Sequence, residues 1–234
     1  MKTKILKSIL LIALTLFFSC KEKGQHLFIL SGQSNMARLK PETSFTPRLI
    51  KEFGREKIIV VKDAKGGQPI SRWYKNWKSP AGKIPEKTGD LYNKLLQKVQ
   101  DSIKNQNIAS ITFIWMQGER DAKMKFASVY ESSLLGLWQQ LKSDLKKDDI
   151  NFIIGRLSDF DLKNEKYAEW TTIRAIQEKV GNSNPKFAWI NSDDLNTGAD
   201  YNGKQVTDDL HLTKIGYAIL GERFAEKAIE IIKK

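Results

Sequence analysis

What most constrains this chain is a rhythm. Five short runs rich in Ile, Val and Phe, at 26–30, 57–62, 111–116, 151–155 and 187–190, alternate with amphipathic stretches. Runs this short and this apolar suit strands buried on both faces of a parallel sheet. Between them, Leu91, Leu95, Val99 and Ile103 recur every four residues, and Phe126, Tyr130, Leu134, Trp138 and Leu141 every three or four. Trp170, Ile173 and Val180 mark another helix; Tyr217, Leu220, Phe224 and Ile231 mark a last one, with Thr213 placed to cap it. Aromatics at helical spacing read as core. The alternation predicts an α/β domain of three layers, α/β/α. In that architecture functional side chains gather just beyond the carboxyl ends of the strands.

The segments at those ends carry the chemistry. After the first run comes Ser31-Gly32-Gln33-Ser34-Asn35-Met36, a break at glycine followed by residues able to open a helix. A serine there sits where unpaired N–H groups and the helix dipole favour developing negative charge. It is also where a plain capping serine would stand. After the second run, Gly66-Gly67 lets backbone approach a ligand and offers an N–H, although an ordinary turn has the same composition. After the third, Gln117 leaves the strand directly into Gly118, so its amide either points into a cleft or bonds to buried backbone.

Serine-based ester cleavage needs a base, an orienter for that base, and oxyanion donors. The chain has two histidines. His26 opens the first strand, at the wrong end of the sheet; His211 stands just before the last helix, at the right one. Asp208 can reach the far nitrogen of His211 if the loop turns, with Asp209 as its rival. Arg72 and Trp73 follow the glycine turn and are candidates for sugar binding, an aromatic face suiting a sugar ring and an arginine a carboxylated one. Trp73 would equally serve by packing down a long loop.

Taken together, Gly32-Gln33-Ser34-Asn35-Met36, Gly66-Gly67-Gln68-Pro69-Ile70, Trp115-Met116-Gln117-Gly118-Glu119 and Asp208-x-x-His211 resemble the four blocks of SGNH/GDSL-type hydrolases. The closer resemblance is to carbohydrate esterases of the sialate O-acetylesterase and acetylxylan esterase kind. It implies a flavodoxin-like five-stranded parallel sheet in the order 2-1-3-4-5. It also implies Ser34 as nucleophile, His211 as base and Asp208 as its orienter. The oxyanion hole would be the Ser34 and Gly67 N–H groups with the Gln117 side chain; Glu119 would brace the loops through hydrogen bonds or pair with a nearby arginine such as Arg72. The implied substrate is an acetylated carbohydrate, and no cofactor is required. A lipase- or thioesterase-like enzyme would share the same catalytic residues, and a noncatalytic glycan-binding module would share the fold.

The amino terminus is different in kind. Lys2, Lys4 and Lys7 precede a short apolar core that ends at Ser19-Cys20, the pattern of an export signal. Phe17-Phe18-Ser19-Cys20 resembles a bacterial lipobox, which implies cleavage after residue 19 and lipid on Cys20, the single cysteine of the chain. The expected organisation is a signal peptide at 1–19, a lipidated tether at 20–25 and an esterase domain at 26–234, exported and anchored to a membrane through its lipid. The net charge is +12. It favours anionic partners such as acidic glycans or lipid head groups; no basic run with interleaved aromatics points to nucleic acid. No histidine–cysteine spacing suits zinc, and no calcium-loop spacing occurs.

Overall fold

The computed structural model describes residues 24–234, so the leader and Cys20 lie outside the described residues. The chain runs β1 (Gln25–Gly32), α1 (Ser34–Arg38), α2 (Phe45–Phe53), β2 (Ile58–Ala64), α3 (Asp90–Ile103), β3 (Ile108–Met116), α4 (Glu119–Met124) and α5 (Ala127–Leu145). It continues through β4 (Ile150–Gly155), α6 (Trp170–Gly181), β5 (Phe187–Ile190), a small antiparallel pair β6 (Gly198–Ala199) and β7 (Gln205–Val206), and α7 (Lys214–Ile232). Strands β1 to β5 form one parallel sheet in the order β2-β1-β3-β4-β5, the order the resemblance implies. Among the described residues no helix is long and apolar enough to cross a membrane.

Strand alternation builds the three layers. Leu27 and Ile29 of β1 with Phe113 and Trp115 of β3 face one way, against Leu95 and Val99 of α3, Leu134 and Leu137 of α5 and Ile173 of α6. Phe28 and Leu30 with Ile114 and Met116 face the other way, against Phe45 and Leu49 of α2 and Leu220, Phe224 and Ala228 of α7. Because both faces are covered, the central strands show no polar alternation. Thr213 caps α7 as its position suggests, its Oγ1 accepting the Gly216 N–H at 2.8 Å.

Two departures from the sequence reading matter for the site. Strands β1 and β2 run past their apolar cores, pairing Ser31 with Asp63 and Gly32 with Ala64. Parallel hydrogen bonding, not hydrophobicity, carries them to that edge. Gly32 ends β1 at φ 143°, where a Cβ would meet the Met116 carbonyl oxygen at 2.0 Å. No other residue fits, and the chain leaves the sheet there. Helix α2 was not anticipated either. Its apolar residues are diluted by Arg48, Lys51 and Glu52, and the sign of its start is Pro47 in its first turn.

Candidate active site

Ser34 is the first residue of α1, half-buried, one residue beyond Gln33 and two beyond the end of β1. The N–H groups of that first turn have no partner within the helix. The Gly66-Gly67 turn lies directly against it: a Cβ built on Gly66 would sit 3.5 Å from the Ser34 Cβ. Gly67 adopts φ 70° and nothing lies within 4 Å of its Cβ position, so its backbone borders open space.

His211 reaches the same place from the other end of the chain, and Asn35 brings it there. The Asn35 side chain donates to the Leu210 carbonyl at 3.1 Å and accepts from the Leu212 N–H at 3.4 Å, holding the residues on either side of His211. It also donates to Glu119 Oε1 at 3.0 Å and accepts from the Tyr217 hydroxyl at 2.7 Å. All four hydrogen-bonding positions of the amide are thereby used. Ser34, Gly67 and His211 line one cleft of about 340 Å³, with Gln33, Arg38, Glu119, Arg120, Lys123, Tyr167 and Leu210 completing its walls.

Behind the cleft lies a second polar cluster. Gln117 is fully buried. Its Nε2 donates to the Gln68 carbonyl at 3.1 Å, Asp121 Oδ2 at 2.5 Å and Gln33 Oε1 at 3.2 Å. Its carbonyl oxygens receive the Tyr130 hydroxyl and the Gln177 amide. The amide expected at the oxyanion is thus engaged with protein acceptors and stands outside the cleft wall. What it does hold is the turn carrying Gly67, together with Asp121, whose Oδ2 accepts the Ile70 N–H at 2.9 Å.

Two further expectations are corrected. Trp73 is fully buried, edge-on to Trp115 with ring centroids 5.2 Å apart, and has no face to offer a sugar. Arg72 forks onto Asp90, each bond 2.6 Å, and donates to Gln68 Oε1 at 2.5 Å. It braces the loop and does not line the cleft. Asp208 is exposed, at φ 46°, and its carboxylate accepts from Thr197 Oγ1 at 3.3 Å rather than from the His211 ring. Asp209 accepts the His211 backbone N–H at 2.9 Å. His26, at the opposite edge, bonds Ser110 at 2.8 Å.

The electrostatics suit a neutral base. Burial holds His211 below its ordinary pKa, and the positive charge of Arg38 pushes the same way, against Asp209. Glu119 and Asp121 are both buried, which pushes each carboxyl up to about 7. Arg38, Arg120 and Lys123 form no ion pair among the described residues, so the cleft is electropositive. Lys123 Nζ lies 5.5 Å from the Tyr167 ring centroid. These four residues were missed by sequence reasoning. Arg38 stands one turn beyond Ser34 and Arg120 and Lys123 one turn apart on α4, so their clustering was recoverable; Tyr167 lies in an aperiodic loop and was not. Among the described residues no group of three or more His, Cys, Asp or Glu could hold a metal ion.

This arrangement can be set beside known proteins. No curated protein matches the chain. Among solved structures, a protein from Arabidopsis thaliana is similar with a TM-score of 0.66 at 19% identity, covering 89% of this chain and 99% of that one. A carbohydrate acetylesterase from Xanthomonas citri aligns with a TM-score of 0.63 at 17% identity, over 90% of this chain and 57% of that one. NanS aligns with a TM-score of 0.63 at 12% identity, over 90% and 98%. At such identities the likeness establishes the SGNH-type fold. The family described as "Carbohydrate esterase, sialic acid-specific acetylesterase" matches residues 37–230, a span that holds Gly67, Gln117, Asp208 and His211 and begins three residues after Ser34. The chain belongs to that family of carbohydrate esterases and is a carboxylic ester hydrolase.

Proposed function

We propose that the protein removes O-acetyl groups from a carbohydrate through Ser34, His211 and Asp208. The observation that carries this reading is the one cleft shared by Ser34, Gly67 and His211. His211, kept neutral by burial, takes the Ser34 hydroxyl proton as Oγ attacks the acetyl carbonyl. The backbone N–H groups of Ser34 and Gly67 meet the oxyanion of the tetrahedral intermediate. As that intermediate collapses, the C–O bond to the sugar breaks and the sugar oxygen takes the proton from His211, leaving acetyl-Ser34. Water then attacks with His211 again as base, and acetate leaves.

Asp208 orients the ring in this scheme. Its bond from Thr197 is long, at 3.3 Å, and easily released, whereas Asp209 is occupied by the His211 backbone at 2.9 Å. Gln117 acts one step back, fixing the Gly67 turn through the Gln68 carbonyl. Glu119 braces the loops through Asn35. The cations Arg38, Arg120 and Lys123, which form no ion pair among the described residues, favour a sugar that carries negative charge. Leu210 is the one aliphatic side chain of the lining, which favours acetyl over longer acyl groups and argues against a lipase-like preference.

Residues 21–234 should hydrolyse p-nitrophenyl acetate much faster than the butyrate. Ser34→Ala should lower turnover by roughly ten-thousandfold or more while the protein stays folded. Retained activity would remove Ser34 from the nucleophile's role. We further propose that Cys20 carries lipid and tethers the exported enzyme to a membrane; Cys20→Ala should then shift it from the membrane to the soluble fraction.

A further inference from the structure

Among the described residues a hollow larger than the cleft lies at the start of α7. It measures about 460 Å³ and is lined by Lys40, Thr43, Tyr201, Lys214, Ile215 and Tyr217. Its wall is an aromatic platform: the Tyr201 and Tyr217 rings stack with centroids 5.5 Å apart at 23°. The platform is fixed to the catalytic side, because the Tyr201 hydroxyl donates to the Arg38 carbonyl at 3.2 Å. Tyr217 in turn bonds Asn35, the neighbour of Ser34. Tyr201 remains 39% exposed and Ile215 71% exposed, so apolar surface faces solvent between two lysines.

Arg38 links hollow and cleft: its carbonyl accepts from Tyr201, and it lines the cleft. A small hollow of about 190 Å³ beside the β6–β7 pair is lined by Arg38 and His211, which also line the cleft, and by Asp200 and Asn202 on either side of Tyr201. Cations stand at both ends, Arg38, Arg120 and Lys123 at the cleft and Lys40 and Lys214 at the larger hollow, while the small hollow also carries Asp200 and Asp209. A tyrosine face beside an exposed aliphatic side chain suits the apolar face of a pyranose ring, and lysines on the rim suit its acidic substituents. A free monosaccharide filling the cleft would touch neither tyrosine of the platform and neither Lys40 nor Lys214.

We propose that the Tyr201 hollow is a distal subsite for further units of an acidic oligosaccharide whose acetylated unit occupies the cleft. The inference rests on the esterase reading above. The substrate is then a chain, and the enzyme gains from length.

The test is the dependence of kcat/KM on chain length, with O-acetylated oligogalacturonides of one, two and four units as probes and p-nitrophenyl acetate as reference. The wild-type value is expected to rise roughly tenfold from one unit to four, mainly through KM. Tyr201→Ala should flatten that rise, and so should Lys40→Gln combined with Lys214→Gln. The double variant alters exposed side chains and decides the matter should Tyr201→Ala fail to fold. A wild-type value independent of length, or a rise that survives in the folded variants, would overturn the distal subsite and leave the esterase standing. Turnover of p-nitrophenyl acetate with none of the oligogalacturonides would also overturn it. A folded wild type inert towards p-nitrophenyl acetate as well would count against the esterase reading itself.

Discussion

The two halves of the catalytic edge are built differently. On the nucleophile side, Gln33, Asn35, Gln117 and Asp121 are buried and tied to one another or to backbone at the ends of β1 and β3. On the base side, residues 196–211 run over the surface past two short strands, Asp208 is exposed, and His211 is half-buried. Asn35 is the joint between them, since its amide grips the base loop on both sides of His211. Buried polar networks hold one geometry, because an unpaired member is expensive in low dielectric. A surface loop whose hydrogen bonds largely face water can reorganise more readily. The comparison therefore assigns precision to the serine half and adjustability to the histidine half.

The sharpest way to break this contrast lies on the base side. Asp208→Asn should lower kcat by roughly ten-thousandfold with the fold unchanged, as expected for loss of the orienting carboxylate. Asp209→Asn should cost less than about tenfold, because it removes a backbone brace. The two variants assayed side by side on p-nitrophenyl acetate give the ranking. The reverse order would assign orientation to Asp209 and show that the loop functions as the structure has it.

On the nucleophile side the expected damage is to stability. Gln117→Leu leaves Gln68, Gln33 and Asp121 without the amide that links them, at about 3 kcal/mol in all. The readout is the midpoint of denaturant unfolding, with kcat falling alongside as the Gly67 turn loosens. A variant with wild-type stability and lost activity would instead return Gln117 to the oxyanion.

The same contrast explains what was legible in the sequence. The strands and long helices could be read because hydrophobic periodicity reports burial, and burial makes this sheet; Leu27 and Phe28 face opposite layers as alternation requires. Ser34, Gly67 and His211 could be placed at one edge because topology alone sends strand ends there. Partners could not be read. Trp73 and Arg72 follow the glycine turn in sequence as a binding residue would, yet one packs on Trp115 and the other pairs with Asp90, contacts 42 and 18 residues away. Gln117 shows the same limit, since a glutamine leaving a strand looks alike whether it faces ligand or buried acceptors. Residue type states what a side chain can bond, and only the fold states what is within reach.

A smaller effect separates the halves by their response to pH. Glu119, at the joint, has its carboxyl raised to about 7 by burial. The native state therefore holds a proton that the unfolded chain has released between the ordinary carboxyl pKa of 4.5 and about 7, so stability falls as pH rises through that window. Glu119→Gln removes this loss while keeping an acceptor for Asn35. The melting temperature of the variant should match the wild type near pH 4.5 and exceed it by a few degrees at pH 8. Equal pH dependence in both proteins would mean that Glu119 is ionised in the native state.

The smallest effect belongs to the base itself. Burial and Arg38 both disfavour the imidazolium of His211, and Asp209 favours it, with the net shift downward from 6.5. Since the base must be neutral, kcat/KM should fall on the acid side with a midpoint below 6.5. Arg38→Gln removes a repulsive charge, so protonation becomes easier and that midpoint should move up by a few tenths of a pH unit. Asp209→Asn removes the attraction and should move it down. High salt should shrink both shifts, because the loop is half-exposed and screened. Opposite movements would show that the two charges act on the ring from the two sides of the cleft, Arg38 from α1 and Asp209 from the base loop. Identical profiles would mean that burial alone sets the pKa of His211, and that the charges around it serve substrate binding.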